Sequence, residues 1–471
     1  MQNLNNFDRR KFLVGLAATS SLPLMALGGC ATTPYGSKQS YITQVVKPQN
    51  QSTVLYWLDV AMQQVRDQRV LPPRAAYNYA MPLVAGFLAA NAITRHFDEP
   101  FGIGEASSNA NPQVAYGVAF SIAAAQVFQQ PFLIERRRFL ATFADSDAKT
   151  AGIEWGKKIA RVIIRQRNDD GSEPSEVNFY FDNFKRRGDS LQWTPTGPFY
   201  SASPGPAFGS FGRGLFPSHG KIKPWTMTHN SQFRAREFYD PKSPEFAAEF
   251  DMIRRLGGAD STIRTADESE IALFWEDGPW GISPAGHYLY IAMQLLQEGD
   301  KSAKTTEGFI NQARNFALLG MSQCDASISA WENKYHYDII RPESAIRARA
   351  AKFGNADPRV IKQADWQSYI PTPNFPAYTS GHSTFAGAAE MLVMILGTDN
   401  IPFSGRSPDH VLWPQLIGIE RHWTSITQMT VESSLSRLYG GVHWDIDHTE
   451  AMNAGRQIAR QAFDTYFRPR V

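Results

Sequence analysis

The fold of this chain is decided around residues 331–342, which read WENKYHYDIIRP. They end a long helical pattern whose apolar positions return in steps of four or three residues from Phe309 to Trp331. Lys334 and Arg341 continue that stripe, so their cationic side chains are predicted to point towards the core, where an unpaired charge is costly. The proline after Arg341 predicts the end of the helix. Alternatively, both cations reach solvent from an amphipathic helix end.

A second segment, residues 373–384, reads PNFPAYTSGHST and precedes an apolar helical pattern at 385–396. The start of a helix offers free backbone N–H groups and the positive end of its dipole. Gly381 permits close approach of the backbone, while Ser380 and His382 add a hydroxyl and a titratable imidazole. These features predict a cradle for an oxyanion. The alternative is a Ser/Thr helix cap with an incidental histidine.

A third segment, residues 436–448, reads SRLYGGVHWDIDH. Its glycine pair predicts a break between two helices, with His443 opening the second and Asp447 one turn later. A carboxylate at i+4 can orient the imidazole and leave its other nitrogen free as a nucleophile or ligand. A divalent-metal site made of His443, Asp445, Asp447 and His448 is a less favoured alternative, since Asp447 and His448 diverge by about 100° on a helix.

The remainder of the chain predicts a single all-α domain over residues 53–471. Apolar residues at helical spacing occupy 54–65, 75–97, 113–143, 152–167, 271–275, 285–297 and 309–339, with helical patterning also resuming at residue 231. Few runs alternate as strands do. Residues 195–224 are rich in glycine, proline and aromatic residues, and we interpret them as a loop over the helices, directed towards a cleft. Its aromatic residues are Phe199, Tyr200, Phe208, Phe211 and Phe216.

Composition narrows the class of protein. The 471 residues include 47 Lys+Arg and 45 Asp+Glu, giving a net charge of +2 with 20% charged and 43% hydrophobic residues. This excludes a disordered chain, a coiled coil and a collagen-like repeat, and gives no electrostatic reason to expect nucleic-acid binding. Two cysteines cannot form a disulfide scaffold, so the fold must depend on its core.

The first thirty residues predict an export signal. Residues 8–13, DRRKFL, place an arginine pair before an apolar run, which is typical of a twin-arginine signal peptide. The run ends in Leu27-Gly28-Gly29-Cys30, which resembles a lipobox whose cysteine is acylated after cleavage. We therefore expect a protein in the periplasm or at the cell surface, lipid-anchored at Cys30 through a linker at 31–52, with Cys324 as the remaining thiol. A permanent N-terminal membrane helix is disfavoured because the run is short and interrupted.

The three segments together resemble a family signature. In order they give Lys334-x6-Arg341-Pro342, Ser380-Gly381-His382 and Arg437-x5-His443-x3-Asp447. This set resembles vanadium-dependent haloperoxidases and the acid and lipid phosphatases that share their fold. The resemblance covers residues 331–447 and implies a large all-α helical bundle with a vanadate cofactor. Thr379 departs from the phosphatase form of the motif, which usually has proline there.

The resemblance also implies roles for the residues. His443 would be the vanadium ligand and His382 would move protons. The groups implied around the equatorial oxygens of vanadate are Lys334, Arg341, Ser380, Gly381 and Arg437. Lys334 would in addition polarise the bound oxidant. The implied reactants are hydrogen peroxide, a halide and a small organic acceptor.

Two aromatic positions favour a haloperoxidase. Trp331 and Phe375 occupy positions that line the halide side in vanadium chloroperoxidases, although both could be ordinary core residues. Asp277, in the stretch FWEDG at 274–278, resembles an aspartate that supports the active-site arginine and histidine, in a version one residue shorter.

Two other functions stay open at this point. A phosphatase on the same scaffold would use His443 as a nucleophile, forming a phosphohistidine. A surface lipoprotein without catalytic activity would bind a ligand through the aromatic loop, but it would have no need for three cations and two histidines around one anion.

Overall fold

The structure, a computed structural model, describes residues 52–172, 186–194, 214–278, 281–298, 305–408 and 413–470. Within these ranges the chain is mostly helical, and the all-α prediction is confirmed. The signal sequence, Cys30 and the linker up to residue 51 lie outside the described residues. So does most of the aromatic loop, including Phe199, Tyr200, Phe208 and Phe211.

Thirteen labelled helices are defined in the described ranges. They are α1 Thr53–Gln68, α2 Pro72–Thr94, α3 Pro112–Phe128, α4 Leu133–Leu140, α5 Asp147–Gln166, α6 Pro244–Leu256, α7 Ala266–Phe274, α8 Ser283–Glu298, α9 Thr306–Tyr337, α10 Gly381–Ala389, α11 Met391–Leu396, α12 Ile426–Tyr439 and α13 Asp445–Thr465. Short 3-10 turns lie at His219–Lys221 and Pro414–Leu416. After α9 come an α-helical turn at Pro342–Ser344, a π-helical segment at Ala345–Arg349 and a 3-10 turn at Ala350–Lys352.

The described strands form one small antiparallel pair. Strand β1, Phe403–Gly405, pairs with β2, Arg421–Trp423, in the register Phe403 to Trp423. This pair lies outside the three motif segments.

Two helical predictions were wrong. The single pattern at 113–143 is interrupted between α3 and α4, where Gln129 adopts a positive φ of 52° and Pro131 follows. The helix expected from residue 231 begins only at Pro244, since residues 231–233 form a turn and Ser243 caps α6 by accepting from the backbone N–H of Phe246. Apolar periodicity continued through both places, but backbone geometry and capping set the ends.

Helix α9 is the centre of the fold. It is 32 residues long and buried along most of its length, packing against α2, α10 and α13. Because the helix is buried on most sides, its apolar stripe is wide, and Lys334 near its C-terminal end lies in the interior. The bundle therefore delivers Lys334 from α9, the Ser-Gly-His segment from α10 and His443 from the approach to α13 to one region.

Helices α10 and α13 are held in close contact by glycine. A Cβ at Gly387 would lie 2.3 Å from the carbonyl oxygen of Met452, and one at Gly455 would lie 2.3 Å from that of Thr384. Neither backbone could accommodate a methyl group without moving. This contact fixes the Ser-Gly-His helix relative to the helix that follows His443.

We expect Gly387→Ala to lower the free energy of unfolding by about 2 kcal/mol, because the added methyl group overpacks the interface between α10 and α13. Denaturant unfolding followed by circular dichroism measures this change. Gly320→Ala is the matched control, since the nearest atom to its Cβ is the flexible end of Leu83 at 2.9 Å. Equal effects of the two substitutions would contradict the prediction.

None of the helices in the described ranges combines the length and apolar character needed to cross a membrane.

Candidate anion-binding active site

Lys334 lies in the last turn of α9 with its side chain fully buried. Its Nζ donates to the backbone carbonyl oxygens of Pro376 at 3.0 Å, Ala377 at 2.9 Å and Thr379 at 2.5 Å. An ammonium group has three donors, so these bonds use all of them. Burial and then the neighbouring Arg341 lower the pKa of Lys334 well below its usual value. In its charged form Lys334 therefore acts on the site through its charge.

Arg341 and Arg437 bring two more buried cations to the site. Arg341 donates from Nη1 to the Val442 carbonyl at 2.7 Å and from Nε to the Phe375 carbonyl at 2.9 Å. Arg437, near the end of α12, donates from Nη1 to the Trp275 carbonyl at 3.3 Å. Arg341 and Arg437 both lower the pKa of Lys334, so the three cations share one electrostatic environment.

His443 is fixed by partners on both ring nitrogens. Arg341 Nη1 lies 3.0 Å from His443 Nε2, and Asp447 Oδ2 lies 2.7 Å from Nδ1. Arginine can only donate, so Nε2 accepts and the Nδ1–H donates to the carboxylate. This tautomer places the lone pair on Nε2 as expected, but the nitrogen is not free, because it accepts from Arg341. His443 does not open the helix, however, because α13 begins at Asp445.

The start of α13 explains where His443 lies. Glu249 of α6 accepts from the backbone N–H groups of Asp445 at 2.7 Å and Ile446 at 3.0 Å, which satisfies two donors at the helix N-terminus. Asp447 also accepts from the Trp444 N–H at 3.1 Å. The helix therefore starts after His443 and leaves the imidazole on the preceding turn.

The divalent-metal alternative finds no support in the geometry. His448 Nε2 lies 2.7 Å from Asp445 Oδ1 and its Nδ1 lies 3.2 Å from Ser434 Oγ. His448 and Asp445 thus pair with each other rather than with His443. Across the described ranges, no group of three or more His, Cys, Asp or Glu side chains is arranged to hold a metal ion.

Ser380 and Gly381 form the start of α10. The Ser380 hydroxyl caps the helix by accepting from the Ser383 N–H at 3.3 Å, and it also accepts from Ser383 Oγ at 2.9 Å. Both bonds use the Ser380 oxygen as acceptor, so neither uses its own proton. A Cβ at Gly381 would lie 3.2 Å from Trp331 and 3.9 Å from Lys334 Cε. The glycine thus keeps the backbone close to the buried lysine.

His382 lies on the first turn of α10 and lines the cleft. Its Nε2 is 3.1 Å from the carbonyl oxygen of Glu276, so Nε2 carries a proton and the neutral ring has its lone pair on Nδ1. Burial and then Arg437 lower the pKa of His382 well below its usual value. A neutral histidine at the mouth of a cationic site can accept a proton from a reactant.

Trp331 and Phe375 form an aromatic wall beside the cations. Their ring centroids are 5.0 Å apart, Lys334 Nζ lies 5.1 Å from the Phe375 centroid and Arg341 Cζ lies 4.9 Å from it. Trp331 is fully buried and donates from Nε1 to the Leu215 carbonyl at 3.1 Å. Both rings line the cleft, so the structure places them at the site rather than elsewhere in the core.

The cleft is narrow, with a cavity volume of about 30 Å³. Its lining combines catalytic candidates and an acidic segment with apolar residues from the start of α2 and the end of the aromatic loop. The lining residues are Leu71, Pro72, Pro73, Leu215, Phe216, Glu276, Asp277, Gly278, Trp331, Pro373, Phe375, His382 and Arg437.

Asp277 has a different partner from the one implied by the resemblance. Its Oδ1 accepts from His287 Nδ1 at 2.9 Å, and both side chains are buried. Support for His382 and Arg437 comes instead from backbone carbonyls of the two preceding residues, Glu276 and Trp275. Asp277 has a positive φ of 47°, which turns the chain directly after those carbonyls. We therefore interpret Asp277 as an anchor for this segment.

Two buried residues at the site, His287 and Glu276, were not predicted from the sequence. His287 lies inside the apolar pattern of α8, where a single histidine gives no signal of function. Its ring packs against Trp275 with centroids 4.5 Å apart. Glu276 is buried at the cleft, and burial raises the pKa of its carboxyl group despite the nearby Arg437.

We expect His287→Ala to weaken oxyanion binding roughly tenfold, because it releases the Asp277 segment whose neighbours hold His382 and Arg437. His287→Asn places an amide N–H where Nδ1–H stood and should restore most of the affinity. Vanadate titration followed by calorimetry measures both variants, and the pH dependence of binding should change in the alanine variant alone. Equal losses in both variants would show that His287 serves packing only.

The C-terminal third of the chain, which carries most of the site residues, matches a known family model. Residues 314–470 match the model of the VCPO second helical-bundle domain. This part of the chain is similar to that domain family. The resemblance to vanadium-dependent haloperoxidases expected from the motifs is thereby confirmed, and it extends to characterised relatives.

One curated relative of this chain is vanadium chloroperoxidase from Curvularia inaequalis, 25% identical over 377 residues. The match covers 69% of this chain but only 61% of that relative. Among solved structures, a bacterial vanadium-dependent iodoperoxidase superposes with a TM-score of 0.70 at 22% identity, covering 88% of this chain and 96% of the other. An apo-type bacterial vanadium-dependent chloroperoxidase gives 0.62 at 17% identity, covering 84% and 94%. These structures have the same fold.

Proposed function

We propose that this protein is a vanadate-dependent haloperoxidase, which oxidises a halide with hydrogen peroxide to hypohalous acid or an equivalent halogenating species. The observation that carries this proposal is the aromatic wall of Trp331 and Phe375 beside three buried cations. A weakly hydrated halide suits an apolar surface next to positive charge, whereas a strongly hydrated phosphoester group gains little from it.

The residues present fit vanadate as the resident cofactor. Three buried cations in one environment require an anion to offset their charge. His443 Nε2 offers a lone pair to a metal, and the Ser380 O–H and the N-terminus of α10 offer donors to oxygens. When bound, vanadate would supply Lewis-acid activation of hydrogen peroxide.

The chain's own residues would do the remaining work. His382 Nδ1 would accept the peroxide proton and later return it to the leaving hydroxide as water. The Lys334 charge would favour the build-up of negative charge on oxygen. Trp331 and Phe375 would exclude bulk water from the oxidant, and the apolar side of the cleft would admit a small organic acceptor.

A phosphatase is the second candidate because of one feature. The Asp447 carboxylate fixes the tautomer of His443 with its lone pair on Nε2, and a phosphohistidine intermediate would form there once phosphate replaces the hydrogen bond from Arg341. In that reaction Nε2 would bond to phosphorus, the alcohol would leave and water would then release phosphate.

Two parallel assays separate these functions. Purified protein is incubated with orthovanadate, hydrogen peroxide and iodide, bromide or chloride together with a halogenation reporter, and separately with a chromogenic phosphomonoester without vanadate. Vanadate-dependent halogenation supports the proposal. Phosphoester turnover that is lost in His443→Ala, with no halogenation, would refute it. Failure of both assays, with no vanadate binding, would favour a non-catalytic ligand-binding lipoprotein.

We also propose that the protein is exported through the twin-arginine pathway and anchored at Cys30. The support is the arginine pair before an apolar run and the small residues before the cysteine. Radiolabelled palmitate incorporation that disappears in Cys30→Ser tests the anchor, and retention of the label would refute it.

A further inference from the structure

Helix α4 exposes two adjacent aliphatic side chains. Leu133 is 53% exposed and Ile134 is 59% exposed. Arg137 and Arg138 are exposed one turn later, at i+4 from the two aliphatic residues, and therefore share their faces. Exposed aliphatic groups bordered by arginines are typical of helices that lie on anionic membranes.

The opposite face of α4 is fixed to the domain. Phe139 is buried, with its ring centroid 5.9 Å from that of Tyr56 and 5.5 Å from that of Trp57. The Tyr56 hydroxyl donates to the carbonyl oxygen of Glu135 at 3.1 Å. With these contacts in place, α4 cannot rotate to bury Leu133 and Ile134.

The position of α4 relates it to the proposed anchor. Tyr56 lies in the first turn of α1, which begins at Thr53 after the capping residue Ser52. Helix α4 thus lies beside the point where residues 1–51 join the domain. Fully extended, the segment from Ala31 to Gln51 would reach at most about 70 Å, so acylated Cys30 would hold the start of α1, and α4 beside it, within that distance of the lipid surface. Such confinement allows a weak contact to be populated.

We propose that α4 is a membrane-contact face, in which Leu133 and Ile134 enter the headgroup region of an anionic phospholipid surface while Arg137 and Arg138 contact lipid phosphates. This inference goes beyond the proposed catalysis and rests only on the proposed anchoring. It also orients the domain, since α4 and the start of α1 would face the membrane.

The experiment reads the environment of α4 in the full, exported chain. Ile134→Cys is labelled with an environment-sensitive fluorophore, and Ile361→Cys, at a position 47% exposed, is the matched control. Cys324 is fully buried, and the parent chain is labelled in parallel to measure any reaction at Cys30. Vesicles contain phosphatidylcholine with or without phosphatidylglycerol.

We expect the probe at position 134 to shift its emission to shorter wavelength on vesicles with phosphatidylglycerol, with a smaller shift at high salt, and the probe at 361 to stay unchanged. Arg137→Glu with Arg138→Glu should abolish the shift. Arg161→Glu with Arg165→Glu, an exposed i, i+4 pair on α5, should retain it.

Several results would overturn the proposal. The two probes could respond alike, or the α5 control could lose the shift as fully as the α4 variant. A shift at 134 without vesicles would show that residues 1–51, or a second copy if it depends on protein concentration, cover α4 instead. Halogenation activity measured on the same samples is independent of these outcomes, so failure of the contact face and failure of the proposed catalysis are distinguishable.

Discussion

His443→Ala is expected to weaken vanadate binding by at least about 100-fold, which corresponds to roughly 2.8 kcal/mol. The physical reason is that the substitution removes the one side chain whose lone pair is both buried among cations and oriented by a carboxylate, through the 2.7 Å bond from Nδ1 to Asp447. The cations and the Ser380 hydroxyl can only donate hydrogen bonds or contribute charge, and the His382 Nδ1 lone pair is assigned to proton transfer. Any halogenation or phosphoester turnover should be lost with the binding.

The control for this substitution lies on α13, the helix that follows His443. His448 pairs with Asp445 at 2.7 Å and with Ser434 at 3.2 Å, so His448→Ala removes an imidazole without touching the anion site. We expect its vanadate affinity to stay within about twofold of the parent protein, as for most substitutions away from a binding site. Calorimetric titration with orthovanadate measures both variants. Parent-like binding by His443→Ala would exclude His443 as the vanadium ligand.

The local structure of each motif could be predicted from the sequence because each motif lies at a helix end. The stripe along α9 determines which side of that helix is buried, so the inward direction of Lys334 follows from periodicity. A helix N-terminus at Ser380 and a break at Gly440 could also be predicted from local chemistry. Helix packing then brought these ends to one place, which the family resemblance implied but periodicity does not.

The partners of the motif residues could not be predicted in the same way. The carbonyls that hold Lys334, His382 and Arg437 are backbone atoms, and any residue type supplies a backbone carbonyl. The bond between Asp277 and His287 joins two elements whose relative position depends on the tertiary fold. Side-chain patterns carry no signal for either kind of contact.

These unpredicted contacts change how the site works. In its charged form Lys334 gives all three donors to carbonyls that are already in place, so this form needs no rearrangement when an anion enters. A positive charge on any one of the three cationic side chains or the two histidines disfavours protonation of the others. Burial and Arg341 lower the pKa of both Lys334 and His443, while burial and Arg437 lower that of His382.

Oxyanion binding should therefore be coupled to proton uptake. A bound anion offsets the field of the arginines and favours the charged forms of Lys334, His382 and His443, so their pKa values rise towards ordinary values on binding. Affinity should then increase as pH falls through the window between the depressed pKa values of the free site and the higher values of the loaded site. Each proton taken up contributes up to about tenfold in affinity per pH unit.

Sulfate is the suitable probe, because it is a tetrahedral oxyanion whose own charge is constant over this range. Calorimetry in buffers of different ionisation enthalpy counts the protons, and the slope of the logarithm of Kd against pH gives an independent value. His382→Gln should lower the number of protons taken up on sulfate binding, because it removes the protons that bind to this histidine. His336→Gln, at an exposed position on α9, should leave that number unchanged. A sulfate affinity that does not vary with pH would show that the buried cations stay fully charged without an anion. In that case the carbonyls around Lys334 and the buried carboxylates, rather than proton loss, would offset the repulsion in the free site.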